Sequence, residues 1–187
     1  MGSHGRTGLA RAVLGSVAER AARYAHCSVL VARPSPKAGV VLAATDLSEL
    51  SLPAIAAGAA AAKRSGARLV VASALEWNDS AFTSLSGLLG TLPVLPPADL
   101  QQQLREALRS ALEGAMARVG AVGEARVLDG SAASAIVDCA EELAAGLVVV
   151  GTHGRTGLAR LALGSVAERV IRSAGCSVLA VRPERQS

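Results

Sequence analysis

Hydrophobic and polar positions along the chain form blocks that predict strands and helices in turn. Short apolar runs without internal alternation lie at 40–44, 68–75, 147–150 and 177–181, and "EARVLDG" at 124–130 adds one more strand. Stretches with helical period or Ala-rich composition separate them, at 49–65, 98–120, 131–146 and 164–174. Strands that are apolar throughout are buried on both faces, so the pattern predicts an α/β fold with a doubly wound, five-stranded parallel sheet.

Small and polar residues mark the ends of several of these elements. Ser131 is expected to cap the helix at 131–146, and Gly146 to close it. Residues 76–97 contain Asn, Ser, Gly and three prolines, which predicts a long loop of the kind that often covers a site. "PSPKAG" at 34–39 predicts a linker and therefore a domain boundary.

The beginning of the chain repeats a later part of it. Residues 2–34 match residues 151–183 without a gap, and 24 of the 33 positions are identical. We interpret 1–36 as the partial C-terminal fragment of a first repeat and 37–187 as a complete second domain. The strand "SVLVA" at 28–32 is expected to lie antiparallel to its twin "SVLAV" at 177–181, within one chain or across a homodimer, with a helix at 15–25 over one face.

Composition argues against several classes of function. Aromatic residues make up only 2% of the chain, so it lacks the side chains on which nucleic-acid-binding proteins stack bases. The charged residues, with a net charge of +4, are spread along the chain without a dense Lys/Arg run, which also argues against a nucleic-acid partner. No apolar run reaches 18 residues, so we expect no membrane segment and a cytoplasmic location. Cys27, Cys139 and Cys176 form no CxxC pair and are expected to be small core residues.

A glycine pattern at the end of the fourth strand of the domain points to a ligand site. The strand at 147–150 runs directly into Gly151-x2-Gly154-x9-Gly164-Ser165, and a helix follows. Glycine lets the backbone approach a phosphate closely, and a helix N-terminus attracts anions. The glycines are equally compatible with a tight turn that only lets the helix pack on the sheet.

Asp46 lies at the end of the first strand of the domain. If the first and fourth strands are neighbours at the switch point of the sheet, its carboxylate faces the glycine loop and is able to accept hydrogen bonds from a ribose or a base. The alternative is that Asp46 caps a helix that begins near Ser48.

"TDLSE" after the first strand and the Gly151-to-Ser165 motif after the fourth resemble the ATP-binding branch of the universal stress protein family, over residues 37–185. The resemblance implies the strand order 3-2-1-4-5, ATP in the crevice, and dimers or a pseudo-dimer through the last strand. It also implies that Asp46 contacts the adenosine, that Ala74 lines the base, that Val150 and Gly151 contact base and ribose, that His153 makes a backbone contact, and that Gly154, Gly164, Ser165 and Val166 contact the phosphates.

The motif lacks the Gly-Lys-Ser/Thr of a P-loop, which favours holding ATP, with Mg²⁺ as a possible companion of the triphosphate, over hydrolysing it. We therefore expect a nucleotide-dependent binding or regulatory module of the stress response that is not an enzyme, whose protein partners the sequence does not name. Two alternatives stay open. One is a slow ATP hydrolase that uses His153 and Arg155. The other is a dimerisation module with an empty pocket, because Ala44 and Ala74 stand where the family more often has larger residues.

Overall fold

The computed structural model describes residues 16–34, 39–76, 97–152 and 163–183, and the side chains of its first helix from residue 20 onward. Within these ranges the helices and strands follow in the order α1 (Ser16–Tyr24), β1 (Val29–Val31), β2 (Val40–Ala44), α2 (Leu52–Ser65), β3 (Arg68–Leu75), α3 (Ala98–Arg118), β4 (Glu124–Asp129), α4 (Ala132–Glu142), β5 (Leu147–Gly151), α5 (Ser165–Ser173) and β6 (Ser177–Val181).

The six strands form one sheet in the order β1-β6-β5-β2-β3-β4. Strands β2 to β6 run parallel to one another, and β1 is antiparallel to β6. When the strands are numbered from Val40, the parallel part has the order 3-2-1-4-5. The predicted α/β class with a parallel sheet is therefore confirmed.

Helices cover both faces of this sheet, and alternation along each strand assigns side chains to one face or the other. Val41 and Ala43 of β2 pack with residues of α2 and α3, whereas Leu42 and Ala44 pack with residues of α4 and α5. All four are buried, which is why β2 is apolar without interruption. Helices α2 and α3 thus share one face, and α4 and α5 share the other.

Strand β1 extends the sheet at its β6 edge. Val29, Leu30 and Val31 lie opposite Ala180, Leu179 and Val178, which is the antiparallel pairing expected from the repeat. Val31 is fully buried and belongs, with Ala22 of α1, to the core on the α4/α5 face. The repeated segment is therefore packed against the same sheet as the rest of the chain.

Several predicted element boundaries were wrong. Helix α4 ends at Glu142 instead of Gly146, because Ala144 adopts the left-handed conformation (φ 51°) and the N–H of Gly146 donates to the carbonyl of Val40. Helix α2 begins at Leu52 instead of 49, after a turn closed by a bond from Ser51 N to Ser48 O. Residues 77–96 of the predicted loop at 76–97 lie outside the described residues.

Ser131 does occupy the N-cap position of α4, but its side chain makes no capping hydrogen bond. The cap comes from elsewhere in the chain: the Glu76 carboxylate, just beyond β3, accepts a hydrogen bond of 2.6 Å from the N–H of Ala132. This bond ties the end of β3 to the beginning of α4.

Candidate functional site

The candidate site lies at the carboxyl ends of β2 and β5, which are adjacent in the sheet. The chain leaves β2 towards α2 on one face and leaves β5 towards α5 on the opposite face. Such a reversal opens a crevice at the edge of the sheet, and open α/β sheets bind their ligands there.

The loop after β2 is fixed by short polar contacts. The Thr45 hydroxyl lies 2.7 Å from the Ser51 hydroxyl, and Thr45 Oγ1 accepts from the N–H of Leu47. Asp46 Oδ1 accepts from both the N–H and the hydroxyl of Ser48, at 3.0 and 2.6 Å. These bonds fix Asp46 at the base of the loop, in a local turn with Ser48 that precedes the first residue of α2.

The path from β5 into α5 depends on a close backbone contact. The N–H of Gly164 donates to the carbonyl of Thr152 at 2.9 Å. A Cβ at position 164 would lie 3.3 Å from that carbonyl oxygen, which is tighter than ordinary contact. Glycine at 164 therefore allows this close contact. It is not required by the backbone conformation, since φ is −61° there.

Helix α5 begins at Ser165 with Gly164 as its N-cap, and no side chain caps it. The first intrahelical bond runs from Glu168 N to Gly164 O, so the preceding N–H groups of the first turn have no acceptor within the helix. Together they carry the partial positive charge of a helix N-terminus.

One cavity of about 890 Å³ collects the predicted residues. All seven of those that the structure describes line it: Asp46, Ala74, Val150, Gly151, Gly164, Ser165 and Val166. His153 and Gly154 lie outside the described residues, as does Arg155. The volume is within the range of small-molecule and cofactor sites.

Other residues of the cavity wall were missed in the sequence. They include Ser73 and Glu76 from the end of β3, Leu104 and Leu108 from α3, and Ala132 and Ile136 from α4. A position at the carboxyl end of a strand was the available signal for Ser73 and Glu76. The α3 residues had only an i, i+4 spacing, which is equally typical of a helix that packs in the core.

Charge is distributed unevenly around the cavity. Asp46 and Glu76 bring carboxylates to one part of the wall, and α5 brings its N-terminus to another. The N-terminus of α4 also reaches the cavity at Ala132, but the Glu76 carboxylate already occupies it. The N-terminus of α5 has no capping side chain, and the carboxylate in its first turn, Glu168, is paired with two arginines.

In the described part of the chain, no group of three or more His, Cys, Asp or Glu side chains is placed to hold a metal ion. Over the same residues, none of the helices combines the length and the apolar character needed to cross a membrane.

Fold and site together define a doubly wound α/β protein with a crevice at its switch point. A model of the universal stress protein family matches residues 1–33 and 38–182. The chain belongs to the universal stress protein family. It is 35% identical to universal stress protein Rv2005c of Mycobacterium tuberculosis over 97% of this chain, and the match spans 60% of that longer relative.

Solved structures agree with this assignment. A structure described as a universal stress protein from Pseudomonas aeruginosa superimposes with a TM-score of 0.71 at 24% identity, covering 98% of this chain and 62% of that one. A universal stress protein solved in complex with cAMP has a TM-score of 0.53 at 29% identity, covering 78% of this chain and 98% of that one. The first comparison supports the fold.

Proposed function

We propose that this protein is a nucleotide-binding module that holds ATP in the crevice between β2 and β5. The observation that carries the proposal is the convergence of Asp46, Gly164 and Ser165, from loops 118 or more positions apart, on one cavity. At a switch point, an acidic side chain is able to accept hydrogen bonds from the nucleoside, and an uncapped helix N-terminus is able to bind the phosphates.

The orientation of the nucleotide follows from the charges. Phosphates are attracted to the N-terminus of α5, where Ser165 adds a hydroxyl, and are kept from the N-terminus of α4 by the carboxylate of Glu76. Asp46 then accepts hydrogen bonds from the adenosine, with Ala74 and Val150 as apolar wall. His153 and Gly154 complete the proposed phosphate loop, and Mg²⁺ accompanies the triphosphate.

A related structure supports a nucleotide ligand. The family member solved in complex with cAMP binds an adenine nucleotide, and its identity to this chain is 29%. cAMP shares the adenine, the ribose and a phosphate with ATP. We propose only that shared chemistry for this chain on the basis of the relative. The proposal of a triphosphate depends on the uncapped N-terminus of α5.

We further propose that the nucleotide is held and not hydrolysed, so that the protein is a regulatory module of the stress response in the cytoplasm. Among the described residues that line the cavity there is no Lys, Arg or His to stabilise a transferring phosphoryl group. Slow hydrolysis through His153 and Arg155 remains the alternative. Turnover that His153→Ala leaves unchanged would remove its basis.

For assembly, we propose a pseudo-dimer through β6. The outer edge of β6 is already paired with β1 of the same chain. A homodimer through β6 itself requires β1 to leave, so β1 acts as a substitute for a partner's last strand. The alternative, a dimerisation module with an empty pocket, differs from the leading proposal only in that it binds no nucleotide. The ATP-binding experiment below distinguishes the two.

The test is equilibrium binding of ATP by calorimetry. Wild type is expected to bind, and the double variant Gly154→Val/Gly164→Val to lose binding, because a side chain at 164 pushes on the Thr152 carbonyl and displaces the N-terminus of α5. Gly175→Val is the matched control, since a Cβ there meets no atom within 4 Å. Asp46→Asn keeps the acceptor for Ser48 but loses the charge, and should weaken binding about tenfold. Equal affinity of wild type and the double variant would refute the site.

A further inference from the structure

The cavity continues onto the opposite face of the sheet from the proposed nucleotide. Leu69 and Val71 of β3 pack with α2 and α3, and Val70 and Ala72 pack with α4 and α5. Alternation therefore directs Ser73 towards the α2/α3 face and Ala74 towards the α4/α5 face, although both line the cavity. The cavity straddles the edge of the sheet.

We define the α2/α3 lobe as the part of the cavity lined by Thr45, Ser73, Leu75, Leu104, Ala107 and Leu108. Leu104 and Leu108 lie one turn apart on α3 and continue the stripe that reaches the buried Leu112. Leu104 keeps 40% of its surface exposed. Among the described residues, the wall of this lobe carries no charged side chain, which distinguishes it from the nucleotide side with Asp46 and Glu76.

The hydroxyl groups at the lobe differ in whether they are already hydrogen-bonded within the chain. The Ser51 hydroxyl donates to the carbonyl of Ser48, so the short contact between Ser51 and Thr45 is donated by Thr45. Thr45 also accepts from Leu47 N. Both hydroxyl protons are therefore used within the β2–α2 loop.

Ser73 is different. Its side chain lines the cavity and the residue is only 4% exposed, yet its hydroxyl has no hydrogen-bond partner in the chain as described. Buried polar groups are nearly always paired, because an unpaired one has lost its hydration without compensation. Among the described residues, fully buried side-chain atoms without a partner occur only in Arg182, so the Ser73 hydroxyl keeps some access to the cavity, and water or a ligand there supplies its hydrogen bond.

We propose that the α2/α3 lobe is a second binding subsite, for a small uncharged and mainly apolar molecule with one hydrogen-bonding group that pairs with the Ser73 hydroxyl. The leucines of α3 and Leu75 supply the apolar contact, and the uncharged side chains of the described wall favour an uncharged ligand over an ionic one, which would lose hydration without a counter-charge from them. This subsite does not depend on the nucleotide, since it lies on the other face of the sheet.

The probe is p-cresol. Toluene is the comparison compound, because it has the same ring and methyl group but lacks the hydroxyl. Binding is followed by ligand-observed NMR without nucleotide. Ser73→Ala should weaken p-cresol about threefold to tenfold, the magnitude of one neutral hydrogen bond, and leave toluene unchanged. Unchanged toluene binding also shows that the lobe keeps its shape in the variant.

Ala107→Phe tests the location. Ala107 is exposed on α3 and lines the lobe, so a ring there fills it and should abolish binding of both probes. Ala111→Phe, one turn further along α3 and also exposed, is the control and should bind both as wild type does. Failure of wild type to bind p-cresol would overturn the proposal, as would equal weakening of both probes by Ser73→Ala or unaffected binding by Ala107→Phe. None of these results depends on ATP binding.

Discussion

Arg33 donates a hydrogen bond of 2.6 Å from its guanidinium to the carbonyl of Ile171, near the C-terminal end of α5. A second guanidinium nitrogen reaches the carbonyl of Cys176, and the backbone of Arg33 exchanges hydrogen bonds with the Ser177 hydroxyl. A cation at a helix C-terminus satisfies carbonyls that lack intrahelical donors. Burial lowers the pKa of Arg33, but an arginine remains charged at neutral pH. The segment after β1 thereby stabilises α5, 138 positions later in the chain.

Arg33→Met removes these charged donors and keeps an apolar stem of similar length. We expect the free energy of unfolding to fall by about 1–3 kcal/mol in chemical denaturation, the cost of losing hydrogen bonds from a charged group in a partly buried place. Arg172→Met is the control, because the Arg172 pair with Glu168 on the helix surface should contribute less than about 0.5 kcal/mol. Equal losses in the two variants would show that the Arg33 contacts contribute nothing specific.

Ala144 holds the left-handed position of a helix end that normally takes glycine. The bonds from Ala145 N to Ala140 O and from Ala144 N to Glu141 O form a Schellman motif after α4. Ala144→Gly should therefore raise the free energy of unfolding by about 0.5–1 kcal/mol. Gly66 has the corresponding role after α2 with φ of 67°, so Gly66→Ala should lower it by a similar amount. Thermal unfolding that moves both variants in the same direction would contradict this assignment.

Two helical glycines should respond to alanine in opposite ways. A Cβ at Gly58 of α2 would lie 2.8 Å from the Cβ of Ala43 in β2, closer than real side chains approach. A Cβ at Gly114 of α3 meets nothing within 4 Å. Gly58→Ala should destabilise by about 1–3 kcal/mol through overpacking, and Gly114→Ala should stabilise by about 0.5–1 kcal/mol through helix propensity. A stabilising Gly58→Ala would mean that α2 does not sit so close to β2.

The three cysteines should differ in reactivity on native protein. The expectation that all three are core residues was wrong for Cys27, which is exposed, whereas Cys139 and Cys176 are buried. Burial raises the pKa of both the Cys139 and the Cys176 thiol, against smaller opposing effects of Arg126 and Arg33. Because the thiolate is the reactive form, iodoacetamide at pH 8 should label Cys27 alone, as read by mass spectrometry of the digested chain. Labelling of Cys139 at the rate of Cys27 would refute its burial.

The same pKa shifts predict how stability depends on pH. A thiol whose pKa is higher in the folded than in the unfolded chain binds its proton more tightly when folded. Its contribution is fully present below about pH 8.5, the unfolded value, and is lost as the pH rises towards the folded pKa. The free energy of unfolding, measured by chemical denaturation, should fall less steeply between pH 8 and 10 for Cys139→Ala than for wild type. Identical slopes would show that Cys139 does not contribute to this loss.

Much of the candidate site could be predicted from sequence because its residues directly follow strands. Asp46 is the second residue after β2, and Gly151 ends β5, so the identity of two strands sufficed to place both at one edge of a parallel sheet. Ser73 escaped prediction because its place near the carboxyl end of β3 was the available signal, and that place does not tell which helix the side chain faces. Leu104 escaped because its spacing on α3 is the same for a core helix and for a cavity wall.

By itself, the sequence determined the α/β class, the repeat of 151–183 at 2–34 and the glycine motif, since period, identity and spacing are local properties of the chain. Only the tertiary structure decided that Glu76 and not Ser131 caps α4, that Ala144 and not Gly146 follows its last turn, and that Arg33 caps α5. Each of these depends on a contact or a backbone conformation that exists only once distant segments have packed. Hydrogen bonds between residues 56 or 138 positions apart leave no mark in the pattern of either segment alone.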